Sequence, residues 1–271
     1  MKLTIVYMIA GLSSRFKGLI KPLAKVGPNG ETLIEYSINQ AINSEFNKII
    51  FIVSEHTKKQ VKKEFGDDYN GIPIIYVLQK HNTEKRDKPW GTCDAICSAT
   101  EFIQEPFVVC AGDDIYGKKT FEILTEHLRN SQSDATAGKK LIEMLPEVGD
   151  VNRGIFEINK NNDVINIREI EKINRKNINE KGLNKNTATS ISIFALHPET
   201  LKLLNEKLKK FKEENKDDRK IECYLNVKLG ELLNEGKIKI RYYETPEKWL
   251  GITNPSDEIK IRNELIKKDK K

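Results

Sequence analysis

The residues best suited to chemistry lie directly after the first apolar segment of the chain. The stretch VYMIAGLSSRFKGLIKPLAKVGPNGETLIEYSI (residues 6–38) ends its apolar run at Gly11, and a long loop then carries Arg15 and Lys21. Backbone N–H groups in a glycine-permitted turn can form an anion site, to which arginine adds a fork for phosphate oxygens and lysine a mobile charge. A simple strand-to-helix turn has roughly two to six residues. The loop therefore predicts phosphate binding, although it lacks the Gly-Lys-Ser/Thr ending of a P-loop.

Two adjacent carboxylates, Asp113 and Asp114, follow another apolar segment in PFVVCAGDDIYG (residues 106–117). Neighbouring carboxylates repel each other unless a cation neutralises them, and their oxygens suit Mg²⁺. An aspartate-rich turn that only closes a strand is the alternative. Because the predicted strand ends at the same sheet edge as the Gly11 loop, the pattern favours Mg²⁺ held between the protein and bound phosphates.

A third segment, RDKPWGTCDAICSA (residues 86–99), places Gly91 and Thr92 at the start of a predicted helix. Glycine allows close backbone approach, and a helix N-terminus can face a base or a phosphate. An ordinary helix start is the alternative for this segment alone.

The elements that must position these residues alternate between strand and helix. Apolar runs predict strands at Leu3–Ile9, Lys48–Val53, Pro73–Leu78 and Phe107–Cys110. Helical patterns lie at Thr32–Ile42, His56–Phe65, Thr92–Phe102 and Lys119–Asn130. This alternation predicts an α/β fold whose parallel strands bind ligands at their carboxyl ends.

After residue 134 the pattern becomes β-rich. Strand-like runs appear in ATAGKKLIEM, GIFEIN, DVINIREI and TSISIFAL, followed by helical patterns and a final helix from about Pro255. We therefore predict a nucleotide-binding half at residues 1–133 and an acceptor half of the same domain at residues 134–271, which ends in the C-terminal helix.

Composition excludes several function classes. The 271 residues have a net charge of +6, from 46 basic and 40 acidic side chains that are mostly interleaved, so a nucleic-acid surface is not indicated. No apolar run approaches the roughly 18 residues of a membrane span. The four cysteines have no metal-binding spacing. We expect a soluble cytoplasmic protein that binds neither nucleic acid nor membranes.

Taken in order, the three segments resemble the nucleotidyltransferases that make nucleotide-sugars from a nucleoside triphosphate and a sugar 1-phosphate. The resemblance extends through VGPNGETLIEYSI, RDKPWGT, GDDIYG, ECYLN, EGKIKI and EKWLGITNPSD, over about residues 1–265, and is strongest to a bacterial dTDP-glucose pyrophosphorylase-like subgroup. It implies a Rossmann-like mixed central sheet of the GT-A and nucleotidyltransferase type, with a β-rich acceptor half.

The resemblance also implies residue roles on the nucleotide side. Arg15 and Lys21 would be catalytic, with Lys21 touching the reacting phosphates. The remaining implied nucleotide ligands are Ala10, Gly11, Gln79, Gly91 and Thr92, of which Gln79 and Gly91 would contact the base.

For the metal, the resemblance implies that Asp113 binds Mg²⁺ with help from Asp114. The family's second carboxylate usually follows a tryptophan near the last strand, but here Trp249-Leu250 is followed by Gly251. Asp257 is the nearest substitute, and its alternative role is in the acidic first turn of a helix.

The acceptor ligands implied by the resemblance are Gly154, Glu171 and Lys172, which would hold sugar hydroxyls and the sugar phosphate. The Glu-Lys pair lacks the usual following proline, and Ser192 stands where relatives carry asparagine. The acceptor is therefore the least determined part of the site.

The implied reaction is in-line attack by the acceptor phosphate on the α-phosphorus, with pyrophosphate as the leaving group. Alternatives are a cytidylyltransferase for phosphocholine or another non-sugar phosphate, a nucleotide-sugar-binding module without turnover, and a glycosyltransferase of related fold. The expected partners are a nucleoside triphosphate and a sugar 1-phosphate. The base, the sugar and any homo-oligomer stay open.

Overall fold

In the computed structural model, which describes residues 1–11, 20–252 and 257–269, the first half alternates strands and helices. Its strands are β1 (Thr4–Met8), β2 (Lys48–Val53), β3 (Asp68–Tyr69), β4 (Ile72–Leu78), β5 (Phe107–Ala111) and β6 (Asp114–Ile115). Its helices are α1 (Leu33–Ala41), α2 (Glu55–Phe65), α3 (Thr92–Cys97) and α4 (Lys118–Asn130).

The second half supplies longer strands and the remaining helices. Its strands are β7 (Asp134–Lys140), β8 (Val151–Ile158), β9 (Asp163–Ile173), β10 (Ala188–Leu196), β11 (Ile240–Glu244) and β12 (Leu250–Gly251). Its helices are α5 (Leu141–Met144), α6 (Pro198–Glu214), α7 (Leu225–Asn234) and α8 (Asp257–Asp269).

Both halves share one ten-stranded sheet, in the order β3-β4-β2-β1-β5-β10-β7-β11-β9-β8. The pairs β4–β2, β2–β1 and β1–β5 are parallel, whereas β10 joins the two halves by pairing antiparallel with β5. The predicted mixed α/β sheet is therefore confirmed.

The end of β7 differs from the sequence expectation. ATAGKKLIEM was expected to be strand-like throughout, but the strand ends at Lys140 and α5 follows. Leu141 and Met144, three residues apart, are both buried on the inner side of this turn. That spacing suits a helical turn, which the apolar composition of the run conceals.

The central strands are buried on both faces. In β2, Ile50 and Ile52 belong to one apolar cluster, while Ile49, Phe51 and Val53 belong to the cluster on the opposite face. Such strands appear in the sequence as continuous apolar runs, which explains why their positions could be predicted.

Helix starts follow local rules as well. Thr32 accepts a hydrogen bond from the N–H of Glu35, and Glu35 accepts one from the N–H of Thr32, which is a capping box at the start of α1. This box ends the long loop after β1. No helix among the described residues is both long and apolar enough to cross a membrane.

The carboxyl ends of β1, β2, β4 and β5 lie at one edge of the sheet, because these strands are parallel. Ala10 and Gly11 follow β1 at this edge, Gln79 follows β4, and Asp113 follows β5. Residues far apart in the sequence are thereby brought to one edge, as the strand alternation predicts.

The opposite edge carries a buried carboxyl group at Asp134. Its side chain accepts hydrogen bonds from the N–H of His197 (2.8 Å) and from the hydroxyl of Thr200 (2.6 Å), which connects β7 to the start of α6. Burial raises the pKa of Asp134 to about 7, and the nearby Glu199 acts in the same direction.

We expect Asp134→Asn to remove a pH dependence of stability. The folded carboxyl binds its proton more tightly than the unfolded one, so the wild type loses stability as pH rises from about 4 to about 7, by on the order of 4 kcal/mol. The asparagine amide oxygen still accepts a hydrogen bond but does not titrate. Urea unfolding of both proteins across this pH range checks the prediction, and parallel stability curves would contradict it.

Candidate active site

The sheet edge brings Lys21 and Asp113 together. Lys21 begins a one-turn 3₁₀ helix, Lys21–Leu23, and its Nζ donates to Asp113 Oδ2 at 3.3 Å and to the carbonyl oxygen of Ile252 at 3.2 Å. The side chains are 19% and 35% exposed, so the pair is open to a ligand. The predicted catalytic cation and the predicted metal-binding carboxylate are therefore adjacent.

Asp114 is directed into the protein instead. It is 9% exposed and lies within the short strand β6. Burial raises the pKa of Asp114 well above its usual value, the neighbouring Asp113 adds to the shift, and the positive charge of Arg153 opposes it. The Tyr116 hydroxyl donates to Asp114 Oδ2 at 3.4 Å.

The structure explains why residue 251 has no carboxylate. Strands β6 and β12 pair antiparallel, with Gly251 opposite Asp114. A methyl group on Gly251 would overlap Asp114 Oδ1 and the Trp249 ring. Asp114 thus fills the space that a side chain at position 251 would need.

The donor set at this edge fits Mg²⁺. Magnesium sites that also contact substrate phosphates usually take one or two protein carboxylates, and the partly exposed Asp113 can supply one. Asp114 is buried against Gly251, so its expected part in the metal site stays a prediction. Within the described ranges, no cluster of three histidine, cysteine or acidic residues is suited to a metal. Asp257 begins α8 and lines a neighbouring cleft together with Gly251. Its role as a metal ligand stays a prediction.

The loop after β1 is only partly described. Ala10 is buried, whereas Gly11 is exposed, and an added Cβ there would have no atom of the described residues within 4 Å. Arg15 lies outside the described residues. The nucleotide roles of these three residues stay predictions.

Gln79 lies at the same edge, with its amide orientation fixed by two acceptors. Its Nε2 donates to the carbonyl oxygen of Gly91 at 2.9 Å and to Asp94 Oδ2 at 2.8 Å, and Lys212 pairs with the other oxygen of Asp94. Both partners can only accept, so the amide nitrogen must face them. No described residue donates to the Gln79 oxygen, which can therefore accept from a ligand.

Gly91 and Thr92 connect this region to the second half of the chain. Gly91 has φ +96°, and a Cβ there would lie 2.8 Å from the carbonyl oxygen of Cys223, so only glycine fits. The Thr92 hydroxyl accepts from the N–H of Leu225 at 2.9 Å. The starts of α3 and α7 are therefore held together.

On the acceptor side, Gly154 faces a carboxylate that the resemblance did not indicate. Gly154 is paired with Glu169 in the β8–β9 ladder, and Asn226 Nδ2 donates to Glu169 at 3.1 Å. A Cβ on Gly154 would lie 2.6 Å from that Asn226 nitrogen. Burial raises the pKa of Glu169.

The predicted pair Glu171 and Lys172 lies farther along β9, and both side chains are exposed. Counting back from the turn at residues 159–163 would have placed Arg168 opposite Gly154, because the register of the hairpin shifts by one residue between Glu157 and Ile158. Glu169 and Asn226 are therefore acceptor-side candidates that the sequence reasoning missed.

A cleft of about 940 Å³ adjoins the β6–β12 pair. Residues 143–151 form one wall, and Arg153, Trp249, Gly251 and Asp257 also line it. Arg153 was not singled out from the sequence, since nothing in its local context distinguishes it from a surface arginine.

Comparison with known proteins gives a consistent result. The sequence profile described as nucleotidyl transferase matches residues 10–266. A UTP–glucose-1-phosphate uridylyltransferase, AglF, of Haloferax volcanii is 24% identical over 132 residues, which are 48% of this chain and 51% of that protein. The chain thus spans about half the length of this curated relative.

Solved structures show the same fold. A UDP-glucose pyrophosphorylase complexed with UDP-glucose has a TM-score of 0.71 at 20% identity and covers 99% of this chain and 100% of its own. A UTP-bound UGPase from Acinetobacter baumannii has a TM-score of 0.67 at 16% identity, covering 97% and 92%. At such identities the likeness concerns the fold alone.

We expect the side chains at positions 114 and 251 to be energetically coupled. Gly251→Ala should destabilise the protein by about 1–3 kcal/mol, because the methyl group displaces Asp114 and Trp249. In an Asp114→Ala background the same change should cost about 1 kcal/mol less, because half of the overlap is gone. A double-mutant cycle by urea unfolding measures this coupling, and strict additivity would contradict it.

Proposed function

Because the chain belongs to the nucleotidyl transferase family, we propose that it transfers a nucleotidyl group from a nucleoside triphosphate to a sugar 1-phosphate, releasing pyrophosphate. The observation that carries this proposal is the open Lys21–Asp113 pair at the carboxyl edge of the parallel strands. The uridylyltransferase activity named for the Haloferax relative supports a sugar 1-phosphate as acceptor.

The proposed chemistry needs no protein nucleophile. An oxygen of the acceptor phosphate attacks the α-phosphorus in line, and the bond from that phosphorus to the bridging oxygen breaks as pyrophosphate leaves. Lys21 neutralises charge on the phosphates, as Arg15 is also proposed to do. Asp113 would hold Mg²⁺, which when bound neutralises charge on the phosphate oxygens.

On the acceptor side we propose that Glu169 and Asn226 hold sugar hydroxyls. Their hydrogen bond at 3.1 Å fixes the carboxylate, and the absence of a side chain at Gly154 allows Asn226 to pack against β8. The division at residue 133 into a nucleotide-binding half and an acceptor half belongs to the same proposal, as do the roles of Gly11, Gly91 and Thr92.

The orientation of the Gln79 amide favours nucleotides whose base carries a hydrogen-bond donor on a ring nitrogen. With its nitrogen held by Gly91 and Asp94, the Gln79 oxygen accepts from a base that carries a ring N–H. Uracil and thymine carry this donor at N3 and guanine at N1, whereas cytosine and adenine present a lone pair at that ring nitrogen and offer only their exocyclic amino group. The arrangement therefore favours a base with a ring N–H over cytosine, on which the cytidylyltransferase alternative depends.

Pyrophosphate release tests the proposed reaction. The purified protein is mixed with Mg²⁺, each of ATP, CTP, GTP, UTP and dTTP, and a panel of sugar 1-phosphates together with phosphocholine. Release with a sugar 1-phosphate supports the proposal. Release only with phosphocholine, or nucleotide-sugar binding without any release, would contradict it.

We expect Lys21→Ala to lower turnover on the order of 10²–10³-fold, because a positioned charge that stabilises the reacting phosphates is lost. The exposed Lys25, changed to alanine, serves as the control and should keep wild-type turnover. Steady-state pyrophosphate release measures both. A folded Lys21→Ala protein with full turnover would remove Lys21 from the mechanism.

We expect kcat/KM for UTP, dTTP or GTP to exceed that for CTP by about 10-fold or more, the equivalent of one hydrogen bond to the oriented amide. Asp94→Asn should reduce this ratio, because an asparagine no longer dictates which end of the Gln79 amide faces the base. An unchanged ratio in Asp94→Asn would show that Gln79 does not read the base through this contact.

A further inference from the structure

We propose that Arg153, rather than Lys172, holds the phosphate of the acceptor. This inference rests on the proposed function and names the residue that contacts the phosphate of the sugar 1-phosphate. Arg153 belongs to the β8–β9 hairpin and lines the cleft beside the β6–β12 pair.

The position of Arg153 is the first argument. Arg153 lies on β8, next to Gly154, and lines the cleft together with Trp249 and Gly251. Its guanidinium carbon is 5.4 Å from the centre of the Trp249 ring, which holds the side chain over the wall of the cleft. The same ring adjoins Gly251, opposite Asp114.

The charge around Arg153 is the second argument. Its positive charge acts both on Asp114, on the metal side, and on Glu169, on the acceptor side. The acceptor phosphate joins the sugar to the α-phosphorus, so it must lie between these two regions. A cation that acts on both regions is placed to hold it.

Arg153 also has hydrogen-bonding capacity to spare. Its terminal nitrogens donate to the carbonyl oxygens of Asn152 (3.2 Å) and Met144 (3.4 Å), and its buried Nε has no partner among the described residues. A buried N–H without an acceptor is costly, and a phosphate oxygen would satisfy it.

The other cations near the cleft are less suited to this role. Lys248 pairs with Glu264 at 2.7 Å, and Lys260 is 77% exposed beside Asp257. Lys172 is exposed, does not line the cleft, and has a backbone φ of +53° at the end of the hairpin.

Kinetics and equilibrium binding together test the inference. Arg153→Gln should raise KM for the sugar 1-phosphate about 10- to 100-fold, the effect of a lost charged hydrogen bond, while KM for the nucleotide stays within about twofold. Arg153→Lys should recover part of the loss. Arg168→Ala, which removes an exposed arginine paired with Glu157 on the same hairpin, should match the wild type.

Binding supplies a readout that needs no turnover. By titration calorimetry, the wild type is first tested with UDP-glucose, dTDP-glucose and GDP-glucose, whose second phosphate is the acceptor's. Arg153→Gln should weaken the nucleotide-sugar that the wild type binds and leave the matching nucleoside monophosphate unchanged. If the wild type releases no pyrophosphate, the proposed function fails while this comparison still tests Arg153. Equal loss of the nucleotide-sugar and the monophosphate, no loss of either, or a KM effect in Lys172→Ala instead, would each overturn the inference.

Discussion

Two neighbouring carboxylates at the end of a central strand are the constraint on which the site depends. Asp113 lies in the turn after β5 and Asp114 begins β6, so the two adjacent side chains lie in different surroundings. Asp113 is partly exposed and pairs with Lys21, whereas Asp114 is buried beneath β12. Residue 251 must then be glycine, because Asp114 occupies the space in front of it. Two adjacent aspartates thereby contact a cation on one side and determine the identity of a residue well over a hundred positions away in the sequence on the other.

The same arrangement makes the site depend on both halves of the chain. The N–H of Ile252 donates to the carbonyl oxygen of Asp113 at 3.2 Å, and the Ile252 carbonyl oxygen accepts from Lys21. On the base side, the N–H of Cys93 donates to the Cys223 carbonyl oxygen at 3.0 Å. Neither the carboxylate pair nor the start of α3 is held in place until the second half has paired with the first. The site is therefore a product of the complete sheet rather than of the nucleotide half alone.

The sequence sufficed for most elements of the fold, because buried parallel strands appear as continuous apolar runs and helix starts carry local caps. Strand polarity also sufficed to expect Asp113 at the same edge as the loop after β1, whereas Gln79 was expected there only from the family resemblance. The sequence could not supply contacts set by long-range pairing. Glu169 faces Gly154 because of a ladder register with irregularities, and Asp114 excludes a side chain at Gly251 through a two-residue bridge. Neither relation has a local pattern.

The two edges of the sheet show why residue type alone does not define a site. Asp113 and Asp134 are both aspartates at the ends of central strands, one after β5 and the other at the start of β7. Asp134 is 3% exposed and its oxygens are taken by His197 and Thr200, so burial favours its neutral form and its role is to join two elements. Asp113 is 35% exposed and faces a lysine that a ligand can also reach. Access and the charge of the nearest partner, rather than the carboxyl group itself, distinguish a functional aspartate from a structural one.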